Sequence, residues 1–481
     1  MSIAKNYVYN VLLQITNILI PFVTTPYIAR VLDPKGIGIA AFTASIVQYF
    51  LLFSTFGTNL YGSRAIAYVR EKSDELRKTF WHIMYVKLLT GSAGLAAYVV
   101  FVLFFAREYK GIYWIQFLVL LASVVDITYF FQGIEEFKKI STRSIIIRII
   151  SAGLIFVVVK QESDVVMYVL IGVLGNFFGQ LVMWLYVPKH CRQLEIPDWR
   201  NIFKHFTGSA RLFVPMVAIQ IYIVLDKTMT GLLAGKEEVG YYDMAQRLVK
   251  ILLGVVTSIG PVMLSRISSL VSKNERNAIN EYTILVFDFV TYFSLMIISS
   301  LFTTIPHFVP IFFGRKFLPV KDLILIISPI ILFISWSNLF GIQIMIPFKK
   351  EKQFTLSVLT GAIVNFTLNL LLIPRYGALG ASIGSVVAEF SVTLSQIVMI
   401  KDIIPSLRNM LGMVPKHFIS AVCSVCAVSL INILTPNFDD ILKTILNGLL
   451  TVTAYVFVEY LLKSNINRLV ISRVLSALTK F

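Results

Sequence analysis

The sequence predicts an all-α integral membrane protein. About fourteen transmembrane helices are expected, arranged as two pseudo-symmetric six-helix lobes around a central cavity plus two carboxy-terminal helices. Three observations lead there. Of 481 residues, 57% are hydrophobic and only 14% charged, with a mean hydropathy of +0.78, whereas a soluble domain carries roughly 25% charged residues. Apolar runs of about 20 residues, the length that crosses a bilayer as a helix, recur along the whole chain. A segment after the first run also recurs loosely after the seventh, as an internal repeat.

The first six runs lie near 8–30, 37–57, 81–105, 112–134, 144–160 and 165–187. The next six lie near 209–233, 241–264, 282–304, 319–346, 353–373 and 378–400, and the last two near 414–435 and 441–462. The expected domains are therefore residues 1–207, 208–407 and 408–481. The first run carries Pro21 and Pro26 and flows into the second, which reads as a span and not a cleavable leader. No connection is long enough to hold a soluble domain. The repeat pairs Val31-Leu32-Asp33-Pro34-Lys35-Gly36-Ile37-Gly38-Ile39 with Leu232-Leu233-Ala234-Gly235-Lys236-Glu237-Glu238-Val239-Gly240-Tyr241. An even number of spans separates the two copies, so the repeat is parallel and its axis runs along the membrane normal, with a cleft between the lobes.

The formal net charge of +17 would raise nucleic acid as a partner in a soluble protein. Here no basic module stands apart from the apolar runs, and the excess has another source: cytoplasmic loops collect Lys and Arg. With the amino terminus inside, about 26 of the basic residues fall on inside segments and about 11 on outside ones. Both termini are expected in the cytoplasm, the last inside segment carrying Lys463, Arg468, Arg473 and Lys480. Cys423 and Cys426 form a C-x-x-C inside an apolar run and read as small helix-packing residues. His82, His190, His205 and His307 show no metal-ligand spacing, and no metal is expected.

Charges inside the spans carry the functional signal, since one near the bilayer centre costs about 2.5–3.5 kcal/mol on insertion scales. Asp243, Arg247 and Lys250 recur at helical spacing and form one polar stripe. Either Asp243 and Arg247 pair internally, or Arg247 and Lys250 face a water-filled cavity and attract an anionic cargo. Lys87, Arg148 and Arg211 stand near cytoplasmic helix ends, where they either snorkel or bind cargo, and Arg30 at the outer end of the first helix is similar. Asp126, Glu389, Asp226 and Asp288 are the intramembrane acids. Each is a candidate for coupling to a proton or Na⁺, or a structural counter-ion to a buried base. No other cofactor is expected.

Several segments carry a family resemblance: Thr24-Thr25-Pro26-Tyr27-Ile28-Ala29-Arg30-Val31-Leu32, Phe130-Phe131-Gln132-Gly133-Ile134-Glu135, Val224-Leu225-Asp226-Lys227-Thr228-Met229, Glu238-Val239-Gly240-Tyr241-Tyr242 and Asn369-Leu370-Leu371-Leu372-Ile373-Pro374-Arg375-Tyr376-Gly377-Ala378-Leu379-Gly380-Ala381. In this order the chain resembles the Wzx-type oligosaccharide flippases of the multidrug/oligosaccharidyl-lipid/polysaccharide exporter superfamily. The resemblance implies an antiporter-like transporter with a V-shaped cavity in the bacterial cytoplasmic membrane. Its implied cargo is an oligosaccharide repeat unit on undecaprenyl diphosphate, moved from inner to outer leaflet for capsule, O-antigen or exopolysaccharide synthesis, with the polymerase and chain-length machinery as possible partners. On that view Arg30, Arg211, Arg247 and Lys250 attract the diphosphate, and Gly36, Gly38, Gly377 and Gly380 serve turns and close helix approach.

Three alternatives share parts of this pattern. A multidrug exporter on the same scaffold calls for a cavity of carboxylates and aromatics, which the deep cations disfavour. A peptidoglycan-precursor flippase has similar electrostatics. A membrane-embedded polymerase or ligase calls for a sizeable external loop with catalytic residues, and the sequence shows no nucleophile-base pair, phosphate loop or metal cluster, so an enzyme is not expected.

Overall fold

The computed structural model describes the backbone of residues 3–404, 406–434, 438–469 and 472, and within these the side chains of 3–8, 10–11, 214–216, 218–219, 221–223 and 261 are not described. Arg473 and Lys480 lie outside the described residues. The chain divides into two compact units, Met1–Gly240 and Tyr241–Phe481. Eleven helices among the described residues are long and apolar enough to cross a membrane, or twelve counting a pair bent by 42° as one.

In the first unit α1 (Ile3–Thr55), α2 (Thr58–Val69) and α3 (Ser73–Phe104) are followed by α4 (Lys110–Val124), α5 (Thr128–Gly133) and α6 (Phe137–Val158). Then come α7 (Val165–Leu185), the short α8 (Lys189–Arg192) and α9 (Trp199–Leu233). The predicted runs 8–30 and 37–57 both lie on α1, joined without a loop. Asp33 interrupts that helix with φ 58° and ψ 169°. Pro34 disfavours helical backbone at the residue before it, and the Asp33 carboxylate caps the restarted helix by accepting from the Gly36 N–H at 2.6 Å. The predicted run 209–233 lies on α9, outside the eleven.

The second unit contains α10 (Lys236–Thr257), which begins before the boundary, then α11 (Gly260–Ser272), α12 (Arg276–Phe312), α13 (Val320–Ile327) and α14 (Ile330–Ser337). A π-helical stretch, Asn338–Met345, continues α14. The hairpin α15 (Glu351–Tyr376) and α16 (Ala378–Ile400), the short α17 (Leu407–Leu411), and the pair α18 (Val414–Leu434) and α19 (Asp440–Leu461) complete it. Gly377 turns the hairpin with φ 55° and ψ −130°, a conformation that favours glycine.

The repeat segments meet each other. A Cβ on Gly38 would stand 1.6 Å from the Lys236 carbonyl oxygen, and a Cβ on Gly240 would stand 1.9 Å from the Pro34 carbonyl oxygen. Each glycine thus lets its backbone rest on the carbonyl four residues before the other glycine. Only hydrogen fits there, so both helices cross backbone to backbone.

The motifs of the resemblance also serve helix contacts. Tyr27 donates to the carbonyl of Val159 at 2.6 Å, binding α1 to the end of α6. Phe130 and Phe131 are fully buried in a cluster with Phe80, Ile83 and Met183, while Glu135 pairs with Arg70 at 2.6 Å. Thr228 bonds Ser45 at 2.9 Å and accepts from Tyr49 at 3.2 Å. Cys423 and Cys426, expected to pack between helices, are instead exposed. The packing face of α18 runs through His417, Ser420, Ala421, Ser424 and Val428, and the cysteines fall on the other side of the helix.

Candidate functional site

Within the first unit, two helix breaks converge on one lysine. Gly57, with φ 70°, separates α1 from α2 and brings Asn59 into the first turn of α2. Residues 125–127 separate α4 from α5 and leave Asp126 there. Lys87 reaches both from the middle of α3. Its ammonium is fully buried, donates to Asn59 Oδ1 at 3.0 Å and to the Asp126 carbonyl oxygen, and stands 3.8 Å from Asp126 Oδ2. Asn59 Nδ2 donates to Asp126 Oδ2 at 3.2 Å, and the Thr128 N–H donates to Asp126 Oδ1 at 2.8 Å. Trp184 Nε1 donates to the Val125 carbonyl at 2.8 Å. The Val125 and Asp126 carbonyls at the break are thereby satisfied, and the Lys87 cation sits at the negative end of the α4 dipole.

Of the two roles expected for Lys87, snorkelling is not what the structure shows: a snorkelling lysine keeps its head in water, whereas this ammonium is fully buried between Asn59 and Asp126. Asp126, one of the predicted coupling acids, has Lys87 as its buried counter-ion.

Beside this knot lies a cavity of about 400 Å³ lined by Gln48, Leu51, Leu52, Thr55, Gly57, Asn59 and Gln220. Its polar lining is amide and hydroxyl, groups that both donate and accept, which suits an uncharged polyhydroxylated ligand. Asn59 belongs to both the cavity wall and the Lys87 knot. Asp226 is buried on α9, two residues before Thr228. Arg30 and Arg211 are exposed on α1 and α9.

The predicted stripe of α10 belongs to the second unit and runs as a chain of hydrogen bonds. Arg247 Nε donates to Asp243 Oδ2 at 2.7 Å, with Asp243 buried and Arg247 36% exposed. Lys250 donates to Gln246 Oε1 at 3.0 Å, Gln246 donates to Tyr242 at 2.7 Å, and the Tyr242 and Ser385 hydroxyls share a hydrogen bond of 2.8 Å. The internal Asp243–Arg247 pair is thus present, and Lys250 is exposed beside it. Glu389 is half-buried on α16.

Asp288 is brought to two residues that the sequence analysis did not single out. His417 Nε2 lies 2.8 Å from Asp288 Oδ1, and His417 Nδ1 lies 2.8 Å from Glu459 Oε1. The signal was available: α18 and α19 are adjacent antiparallel spans, so a histidine just inside the start of one and an acid just inside the end of the next lie at the same membrane depth. Among the described residues, no group of three or more His, Cys, Asp or Glu is arranged to hold a metal ion.

Comparison with known proteins adds the lineage. The model of the family described as "Polysaccharide biosynthesis protein" matches residues 3–271, more than half of the chain. The chain belongs to this family. Over 411 residues it is 25% identical to the "Putative O-antigen transporter" of Escherichia coli (strain K12), covering 84% of this chain and 97% of that protein. A protein of the same description from Shigella dysenteriae is 25% identical over 401 residues, 82% of this chain and all of the relative. Among solved structures, the Lipid II flippase MurJ in an inward closed conformation covers 96% of this chain and 99% of its own, with a TM-score of 0.75 and 15% identity. An inward-facing multidrug resistance MATE family transporter of the MOP superfamily covers 85% of this chain and 96% of its own, with a TM-score of 0.62 and 12% identity. Both relatives are named as transporters, as the resemblance to Wzx-type flippases implied, and the fold is shared with a lipid II flippase and a MATE transporter.

Proposed function

We propose that this family member moves an undecaprenyl-diphosphate-linked oligosaccharide repeat unit from the inner to the outer leaflet of the bacterial cytoplasmic membrane, for assembly into surface polysaccharide. The observation that carries the proposal is the match over 84% of the chain to a relative named for O-antigen transport. The fold shared with a lipid II flippase supports a lipid-linked cargo. The uncharged cavity of the first unit supports a sugar as the part recognised by hydrogen bonds.

In this mechanism the headgroup and sugars enter a water-filled cavity while the polyprenyl tail stays in lipid, and alternating access carries the headgroup across. Gln48, Thr55, Asn59 and Gln220 meet sugar hydroxyls. Arg30, Arg211, Arg247 and Lys250 offset the diphosphate charge, which cannot otherwise leave water without a large desolvation cost. Asp243 holds the Arg247 guanidinium in place and lowers the net positive charge of the stripe.

The test is deletion in the native host with quantification of inner-leaflet lipid-linked repeat units, beside Arg247→Ala and Lys250→Ala alleles. Complete repeat units accumulate inside in the deletion, and the double variant restores export at about a tenth of the wild-type rate or less. Normal arrival of repeat units in the outer leaflet of the deletion strain rules the proposal out.

A further inference from the structure

The carboxylate–imidazole–carboxylate cluster of α12, α18 and α19 takes no part in holding the cargo as described above. We propose that Asp288, His417 and Glu459 form a proton-binding site through which proton entry is coupled to cargo export; this rests on the flippase function proposed above and names its coupling site.

Hydrogen counting leads there. A neutral imidazole has one N–H, yet both ring nitrogens of His417 lie 2.8 Å from a carboxyl oxygen. Each contact needs a hydrogen, so the trio holds one proton beyond the neutral ring's own, wherever along the chain it resides. In that state the cluster carries one net negative charge in a buried setting, with Glu459 fully buried and His417 nearly so. A second proton neutralises it and removes the cost of burying that charge. The structure has a place for it: Glu459 Oε2 is buried, and the Ser464 and Ser420 hydroxyls stand beside the carboxyl. Once Oε2 is protonated, Glu459 donates and a hydroxyl oxygen accepts, since a serine hydroxyl serves in either role.

The surroundings isolate the cluster. Among the described residues, the titratable groups facing it are Tyr292 from α12, whose ring meets His417 edge-on at 5.9 Å, and Tyr455 from α19. Both phenols are engaged, Tyr292 donating to Asn467 at 3.0 Å and Tyr455 to the Tyr292 carbonyl at 3.1 Å. Neither offers a basic group to hold the carboxylates permanently charged, in contrast to Lys87 beside Asp126. The same turn of α12 carries Phe287, stacked on Trp336 at 5.1 Å and on Phe340 at 5.9 Å. Phe340 lies in the π-helical stretch, an irregularity that marks hinges in helices. A charge change at Asp288 is thus one residue from the contact between α12 and a hinge-prone segment.

Full-length protein in nanodiscs, examined by infrared difference spectroscopy between about pH 8 and about pH 5, is expected to show a protonated-carboxyl band that Glu459→Gln removes. In proteoliposomes carrying undecaprenyl-diphosphate oligosaccharide, an imposed pH gradient accelerates cargo movement by the wild type. In Glu459→Gln and His417→Gln the gradient-driven component falls about tenfold, with residual movement retained. Survival of the band in both Glu459→Gln and Asp288→Asn, or full gradient dependence in all the variants, overturns the assignment. A purely structural tie lowers the variants' melting temperatures yet leaves band and gradient dependence in place, and so also overturns it. Wild-type protein that moves no cargo defeats the flippase function alone, and the infrared band then decides the proton site by itself.

Discussion

Lys87 shows how a single charge is accommodated where water is absent. Its ammonium has the Asp126 carbonyl, Asn59 and the Asp126 carboxylate around it, and removing one member leaves the others buried and uncompensated. Breaking a buried pair costs about 3–5 kcal/mol, whereas replacing both partners with apolar groups of similar size is often near neutral. Lys87→Met is therefore expected to lower the melting temperature in detergent sharply, and Lys87→Met with Asp126→Leu to recover part of the loss. A double variant less stable than the single one contradicts the pairing. At this scale the sequence made the positions of buried charges legible and left their partners hidden. Asp126 was recognisable as an acid too deep to be hydrated, but its partner depended on which face of α3 packs at the break between α4 and α5. Hydropathy marks the apolar stretch of a helix and does not fix its rotation. His417 and Glu459 stayed hidden for a related reason: each stands near a span end, where a polar residue is ordinary, and only the contact of α12 with both terminal helices makes them one cluster.

Helices were the most legible elements, because a 20-residue apolar run has one way to satisfy its backbone in lipid. Among the described residues all fourteen predicted runs lie on helices, some of them across a short break, as at 125–127 and at 258–259, with edges displaced where a helix continues past its apolar stretch. Kinks were less legible. Asp33-Pro34 was quoted as part of a repeat, and its role as a break and cap inside α1 emerges only with the backbone angles. The repeat gains physical content from the same region, where Gly38 and Gly240 cross on each other's carbonyls. Substituting either with alanine puts a methyl group inside a carbonyl oxygen of a helix backbone, which cannot swing away as a side chain can. Overpacking of this sort costs about 1–3 kcal/mol or more. Gly38→Ala and Gly240→Ala are each expected to reduce folded yield and melting temperature. The pair together is expected to cost less than the sum, since one displacement of the crossing relieves both clashes. Strict additivity, or an unchanged melting temperature in either single variant, contradicts the crossing.

At the scale of the whole molecule, orientation is what the chain's charge distribution decides. Lys and Arg resist transfer across the membrane during insertion, so the side with more of them in short loops stays in the cytoplasm. The segments between α1 and α3, and between α7 and α9, are rich in Arg and Lys, while the turn Lys160–Asp164 between α6 and α7 carries one lysine beside two acids. That turn is polar and exposed at its tip, and the Asp164 carboxylate is held below its usual range by accepting the Lys160 and Gln161 backbone N–H groups. The capped, anionic turn is a poor cytoplasmic loop on the charge rule and a good external one. In a background with Cys191, Cys423 and Cys426 changed to serine, a membrane-impermeant maleimide applied to intact spheroplasts is expected to label Glu162→Cys. Ser73→Cys and Asn274→Cys should label only after the membrane is opened. The reverse pattern inverts the topology, and with it the direction in which the cavity first meets a cargo assembled on the cytoplasmic face. A cation-rich stripe on α10 then faces the wrong step of the cycle, so this labelling bears on the transport direction as directly as it does on the fold.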